Sequence, residues 1–278
     1  MECCCCLSWL VLIALVVTLL SVISVKVRFY VKWFIFSFYS FFSVTFAIPF
    51  MLPRPLHYKN ALIPAFAIRH LTHYILGITF SIQGLNNLLR DSGAVIVINH
   101  QSAIDLVVLA ELWPVVGHCI VIVKKAIFYY FPFGLGSYLW GTLFVDRSDK
   151  EGSKVTMNQA SKMIKENKAK LCVFPEGTRH CGNELLPFKK GAFHVAIQNQ
   201  CPIQPIIVSK YYWIDHKTYK FDGGHNLITI LPSIPTKGLE VKDIDDLIKK
   251  TRDVMQEAYK KTSAQSLRLR SRRELMED

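Results

Sequence analysis

The sequence has few charged residues and lacks the motifs of several large protein classes. Asp, Glu, Lys and Arg make up 19% of its 278 residues, whereas hydrophobic residues reach 51%, which is high for a purely soluble enzyme. The eight cysteines show no zinc-ligand spacing and no disulfide framework. No Gly-x-Ser-x-Gly elbow is present, which disfavours a serine hydrolase. No nucleic-acid motif accompanies the net charge of +12, so we expect lipid headgroups or phosphorylated small molecules as partners rather than nucleic acid.

Two long hydrophobic runs lie near the N-terminus. Leu7–Val25 and Trp33–Leu52 contain no charged residue, and each is close to the roughly 20 residues that a helix needs to cross a bilayer. The first run has an acidic leader and no small-residue cleavage site, so we interpret it as a retained anchor rather than a secretory signal. The second is rich in aromatic residues and fits either a spanning helix or one lying in the membrane interface. Basic residues flank it on both sides and leave the orientation open.

Four cysteines form one block, Cys3–Cys6, beside the first hydrophobic run. S-acylation at a membrane edge is one hypothesis. Incidental thiols on the reducing side of a membrane are the alternative, and hydroxylamine-sensitive acyl exchange separates the two.

Short apolar runs alternate with helical patterns along the rest of the chain. The runs predicted as strands are Thr79–Gln83, Ala94–Ile98, His118–Val123, Lys170–Phe174, Pro205–Val208 and Leu227–Leu231. The predicted helices are Ala65–Thr79, Lys154–Glu166, Gly191–Asn199 and Val241–Lys260. This alternation predicts an α/β fold with a mixed, largely parallel sheet flanked by helices and preceded by hydrophobic membrane helices. We expect a membrane anchor over residues 1–55, a linker and amphipathic segment over 56–90, and a catalytic domain with a basic tail over 91–278.

A third uncharged stretch, Ala126–Val145, is also long enough to span a membrane. Its proline and glycines argue against a regular helix. If it crossed the bilayer, His100 and Glu176 would lie on opposite sides and could not share a site. We therefore predict that this stretch belongs to the catalytic domain.

A polar pair follows the predicted strand Ala94–Ile98: Asn99 and His100, with Asp105 five positions after the histidine. On a regular helix, residues five apart diverge by about 140°. His100 and Asp105 can therefore meet only if the histidine lies in the turn after the strand and the aspartate in the first turns of the next helix. The carboxylate would then orient the imidazole as a general base. Taken alone, the pattern is weak, and a helix-capping histidine with a solvated aspartate explains it better.

A second polar cluster follows the predicted strand Lys170–Phe174. Gly177 permits close backbone approach, Thr178 offers a hydroxyl, and Arg179 has a guanidinium fork suited to phosphate. We expect Glu176 to hold Arg179 or to bind a substrate hydroxyl. The alternative is a loop with an internal Glu–Arg ion pair.

Together the segments Asn99–Asp105 and Phe174–Arg179 resemble the glycerolipid acyltransferases, most closely the branch that acts on lysophosphatidic acid. Three further blocks match in the same order: Gly141–Arg147, Leu186–Phe193 and Cys201–Val208. The resemblance covers roughly residues 87–238. It implies transfer of an acyl group from acyl-CoA to the sn-2 hydroxyl of 1-acylglycerol 3-phosphate, giving phosphatidic acid.

The resemblance also implies a role for each candidate residue. His100 would be the general base and Asp105 its orienting partner. The residues implied in substrate binding are Glu176, Gly177, Thr178, Arg179, Arg147 as a second phosphate contact, and Lys124 as a weaker candidate. The acceptor alcohol needs a base, whereas the thiol of CoA, with a pKa of about 8.5, leaves without strong acid assistance. We expect no metal and no cofactor besides acyl-CoA as co-substrate.

Two alternatives stay open at the level of the sequence. The acceptor could be glycerol 3-phosphate or another lysophospholipid, or the chain could be a non-catalytic lipid-binding protein of the membrane. The presence of both His100 and Asp105 favours an enzyme. The substrate class implies the endoplasmic reticulum membrane, with the site facing cytosolic acyl-CoA.

Overall fold

The computed structural model describes residues 9, 16–146 and 148–277. Arg147 and Cys3–Cys6 lie outside the described residues, so their predicted roles stay predictions. Of the first hydrophobic run, residues 16–23 are described as helical.

A mixed sheet forms the centre of the fold. Its seven strands are β1 (Ile78–Gln83), β2 (Ala94–Ile98), β3 (Cys119–Lys124), β4 (Leu143–Val145), β5 (Lys170–Val173), β6 (Ile203–Val208) and β9 (Gly224–Ile230). Their spatial order is β1-β9-β6-β2-β5-β3-β4, and every neighbouring pair is parallel except β6 and β9. The short strands β7 (Ile214–Asp215) and β8 (Lys220–Phe221) form a separate hairpin. The predicted α/β fold with a largely parallel sheet is therefore confirmed.

Strand β2 shows why the sheet sits at the core. Its side chains alternate between two hydrophobic clusters, with Ile96 and Ile98 in one and Val95 and Val97 in the other. All four are 0% exposed. A strand buried on both faces is typical of a parallel sheet covered by helices on each side.

From Val25 onward, the described residues form seven helices: α1 (Val25–Met51), α2 (Leu62–Tyr74), α3 (Asp105–Val116), α4 (Phe133–Leu139), α5 (Lys150–Asn167), α6 (Gly191–Asn199) and α7 (Ile244–Glu277). The helix predicted over Ala65–Thr79 ends at Tyr74, because Gly77 adopts a φ of +65° and Thr79 belongs to β1. Helix α1 starts before the predicted Trp33, since Ser24 caps it by accepting a hydrogen bond from the Val27 amide.

Helix α1 has two different apolar faces. One face, which includes Phe29, Phe36, Val44 and Met51, is buried against the rest of the protein. The opposite face carries a stripe of phenylalanines at a spacing of four residues, each at least 50% exposed: Phe34, Phe38, Phe42, Phe46 and Phe50. Among the described residues, α1 is the one helix long and apolar enough to cross a membrane.

The uncharged stretch 126–145 is folded onto the domain rather than forming one long helix. It contains part of a 3-10 turn (Lys125–Tyr129), then α4 and β4. Helix α4 packs on α1, and a Cβ atom at Gly136 would overlap Val44 of that helix. The glycine therefore permits the close approach of the two helices.

Candidate active site

The predicted polar clusters meet at the carboxyl ends of adjacent parallel strands. His100 lies in the turn after β2, and Glu176 lies in the loop after β5, which pairs with β2. The two loops are joined by backbone contacts, since the His180 amide donates to the His100 carbonyl at 2.8 Å. Sites in open α/β sheets form at this edge.

His100 and Asp105 form a hydrogen-bonded pair. Asp105 is the first residue of α3, and its Oδ2 lies 2.7 Å from His100 Nδ1. The same oxygen accepts from the backbone amides of Gln101 at 2.7 Å and Ser102 at 3.1 Å, so the carboxylate also holds the turn between β2 and α3. The aspartate side chain is 3% exposed and that of the histidine 22% exposed. With Nδ1 turned to the carboxylate, Nε2 is the nitrogen left to meet a substrate hydroxyl.

The turn that carries His100 is fixed by buried amide side chains on either side of it. Asn99 spans the Val208 backbone of β6, accepting from its amide at 2.8 Å and donating to its carbonyl at 3.0 Å. Gln101 donates to the Ser209 carbonyl at 3.0 Å. Each bond satisfies a main-chain group at the end of β6, so the turn has little freedom to move.

Phe174 and Glu176 support His100 from the β5 side. The Phe174 ring stacks on the imidazole with centroids 4.2 Å apart. The two oxygens of Glu176 accept the backbone amides of His100 and Leu186, each at 2.9 Å. Glu176 is 3% exposed, and burial raises the pKa of its carboxyl although the two amide bonds oppose the shift. No ion pair between Glu176 and Arg179 is found in the described part of the chain.

The remaining binding candidates lie at the surface beside this loop. Thr178 and Arg179 are exposed. Gly177 has a φ of +69°, and the Lys189 side chain crosses it so closely that a Cβ at this glycine would lie 2.6 Å from the lysine Nζ. The backbone conformation favours a glycine here, whereas the flexible end of the lysine side chain could move aside for a Cβ.

A cavity of about 580 Å³ opens next to His100. Its lining includes the polar side chains of His100, Lys124 and Lys189, and also Gly177. The rest of the lining is largely apolar and comes from the carboxyl ends of β3, β4 and β5 and from α5 and α6, including Ile122, Val145, Met157, Leu171, Val173 and Val195. The cavity can therefore hold an apolar chain together with an anionic group.

The structure thus brings His100, Lys124 and Gly177 to the cavity lining, while Asp105 and Glu176 contact His100 without lining the cavity. Sequence reasoning had assigned no role to Lys189, although it lies in one of the recognised blocks. It also missed Tyr211, whose hydroxyl donates to Asp105 Oδ1 at 2.7 Å and whose sequence context contains no catalytic motif. Within residues 16–146 and 148–277, no group of three or more His, Cys, Asp or Glu side chains is placed to bind a metal.

Comparisons with known proteins agree with these observations. The Acyltransferase family model matches residues 79–209. The chain is 32% identical over 239 residues to human 1-acyl-sn-glycerol-3-phosphate acyltransferase alpha, covering 86% of this chain and 81% of that protein. It is 37% identical over 194 residues to the 1-acyl-sn-glycerol-3-phosphate acyltransferase of Saccharomyces cerevisiae, covering 69% and 63% respectively. Its fold is similar to the crystal structure of the 1-acyl-sn-glycerophosphate acyltransferase PlsC from Thermotoga maritima, with a TM-score of 0.66, 20% identity and coverage of 86% and 97%.

Proposed function

The chain belongs to the 1-acyl-sn-glycerol-3-phosphate acyltransferase family, and we propose that it transfers an acyl chain from acyl-CoA to the sn-2 hydroxyl of 1-acylglycerol 3-phosphate. The product is phosphatidic acid. The observation that carries the proposal for the chemistry is the His100–Asp105 pair, whose Nδ1 and Oδ2 atoms lie 2.7 Å apart, with His100 lining a largely apolar cavity.

In this proposal the reaction needs one base. Nε2 of His100 takes the proton of the acceptor hydroxyl as its oxygen attacks the thioester carbonyl. The C–O bond forms, the C–S bond breaks, and the CoA thiolate recovers the proton from the imidazolium. Asp105 holds the ring orientation and stabilises the imidazolium in between. A thiol with a pKa of about 8.5 is a good leaving group, so no separate strong acid is required.

Three cations support a proposal for phosphate binding. Lys124 and Lys189 line the cavity, and Arg179 is exposed on the adjacent loop. Guanidinium and ammonium groups both bind phosphate, the first in a two-pronged geometry. We propose that these residues hold the headgroup of 1-acylglycerol 3-phosphate or the phosphates of CoA. Arg147 stays a further candidate on sequence grounds.

We also propose that the protein works at a bilayer. The exposed phenylalanine stripe of α1 offers an apolar surface of the kind that enters lipid, while the opposite face of the helix packs on the domain. The net charge of +12 favours an anionic membrane surface and anionic substrates. The substrate class supports the endoplasmic reticulum membrane with a cytosol-facing site.

Acyl transfer from labelled oleoyl-CoA tests the proposal directly. Membranes containing this chain are supplied with lysophosphatidate or glycerol 3-phosphate in parallel, and His100→Ala serves as the catalytic control. We expect phosphatidic acid from lysophosphatidate, and a loss of about 10²- to 10⁴-fold in the variant, the range that general-base catalysis supplies. Near-normal turnover by His100→Ala would refute the assignment of the base, and use of glycerol 3-phosphate alone would refute the acceptor.

A further inference from the structure

The two oxygens of the Asp105 carboxylate have very different partners. Oδ2 accepts three hydrogen bonds, from His100 Nδ1 and from the Gln101 and Ser102 amides. Oδ1 accepts one, from the Tyr211 hydroxyl at 2.7 Å, and no other donor contacts it across residues 16–146 and 148–277. Because the aspartate side chain is 3% exposed, water does not readily replace this donor.

Tyr211 is held rigidly in the position that makes this bond. It is 4% exposed, its ring centroid lies 5.1 Å from that of Trp213, and its amide donates to Gln101 Oε1 at 3.3 Å. Burial, followed by the neighbouring Asp105, raises the pKa of the phenol well above its usual range. The hydroxyl therefore stays protonated and acts as a donor to the carboxylate.

We infer that Tyr211 is a positioning residue for acyl transfer, because its hydroxyl fixes the rotation of the Asp105 carboxylate that orients His100. The terminal torsion of an aspartate is broad, so without the Tyr211 hydroxyl only the bonds to Oδ2 set the rotation of the carboxylate, and Oδ1 stays buried without a donor. The role of Tyr211 rests on the proposed function, in which His100 takes the substrate proton. Tyr211 does not line the cavity, so it acts through Asp105 rather than on the substrate.

Tyr211→Phe tests the bond while keeping the ring that packs on Trp213. We expect kcat to fall about 10- to 100-fold, the rate equivalent of one hydrogen bond to a charged group. The KM values for both substrates should stay within about twofold, since no cavity contact is lost. Tyr212→Phe is the matched control. It removes the same atom from the next residue, whose half-buried ring faces Lys210, and should keep wild-type kinetics.

The pH profile distinguishes positioning from a loss of packing. Without its donor, the carboxylate accepts a proton more readily and attracts the imidazolium more strongly. Both effects shift the acid limb of kcat/KM to higher pH, whereas a merely structural defect lowers activity without moving it. The other titratable side chains near the pair are unchanged in the variant: Glu176, His180 and Tyr259.

NMR titration of His100 in isotopically labelled full-length protein reads the same effect without substrate. We expect the midpoint of the His100 titration to move to higher pH in Tyr211→Phe. It should move to lower pH when 3-fluorotyrosine, a stronger hydrogen-bond donor of nearly the same shape, replaces Tyr211. The fluorinated protein keeps the test decisive if the phenylalanine variant folds poorly. An unmoved titration in both proteins would overturn the inference. If the wild-type chain transferred no acyl group to lysophosphatidate, the proposed function would fail, while a shifted His100 titration would still support the positioning role.

Discussion

Replacing Glu176 separates two roles that its position allows. The sequence pattern assigns this residue to the substrate headgroup, whereas in the structure both of its oxygens accept backbone amides, from His100 and from Leu186, in partly buried hydrogen bonds. We expect Glu176→Ala to leave both amides without a partner. Each buried donor that loses its acceptor costs about 1–3 kcal/mol, so the free energy of unfolding should fall by about 2–6 kcal/mol. At about 2–4 °C per kcal/mol, the melting temperature should drop by at least ~4 °C.

Glu176→Gln should be much milder than Glu176→Ala. The glutamine side chain keeps one oxygen as a hydrogen-bond acceptor and lacks the buried charge of the carboxylate. Because burial raises the pKa of the Glu176 carboxyl, the folded state disfavours its ionised form. The stability of the wild type relative to Glu176→Gln should therefore be greatest below the ordinary pKa of about 4.3 and should decline as pH rises through the raised value. Thermal melts across that range measure the trend, and an opposite slope would contradict the burial argument.

The kinetic result decides between the two roles of Glu176. If it braces the His100 turn, Glu176→Ala lowers kcat and the melting temperature together, and the KM for lysophosphatidate changes little. If it binds the headgroup, that KM rises while stability is kept, and the reasoning from the buried amide contacts is refuted. Glu184→Ala, which removes an exposed carboxylate a few residues along the same loop, is the control for a general loss of charge.

Further predictions concern the cations and the thiols. Arg179→Ala should raise the KM for lysophosphatidate more than that for acyl-CoA, because its guanidinium fork suits a phosphate monoester; equal effects would count against headgroup binding. Lys189→Gln should raise the KM of a phosphate-bearing substrate, whereas Lys190→Gln, whose ammonium pairs with an aspartate of α7 at 2.7 Å, should not; parity of the two variants would remove Lys189 from the site. At about pH 8, iodoacetamide should alkylate exposed Cys181 well before Cys201, because burial raises the pKa of the Cys201 thiol to about 11. Mass spectrometry of the labelled protein reads both sites, and equal rates would contradict the burial argument.

The position of strand β2 could be predicted from the sequence, whereas the extent of helix α3 and strand β4 could not. Strand β2 has the predicted bounds, because an apolar run that ends in polar residues is a strong signal for a buried strand. The extent of helix α3 is not predicted by periodicity, and only its start near Asp105 follows from the His100–Asp105 argument. It is buried along consecutive positions from Val107 to Ala110, so it shows no amphipathic period, and Pro114 lies within it. Strand β4 has three residues, which is too short for a periodic signal.

Hydropathy also could not describe helix α1 fully. The sequence indicates an apolar helix. One of its apolar faces packs on the domain, and the other is exposed. Phe36 is buried against the domain, while Phe38, two positions away, is 56% exposed. A hydropathy average counts the two alike, so only the packed structure separates the face that contacts protein from the face available to lipid.

The catalytic pair was predictable because it is local, whereas its supports are not. His100 and Asp105 are five residues apart, but the His100 turn is held by Glu176 from one side and by Tyr211, through Asp105, from the other. These contacts span 76 and 106 positions of the chain. They form because β2 lies between β5 and β6 in the sheet, so the loops after both neighbours reach the turn that follows β2. The sheet order, rather than any motif, therefore decides which residues support the base, and both supports should act on the same proton-transfer step.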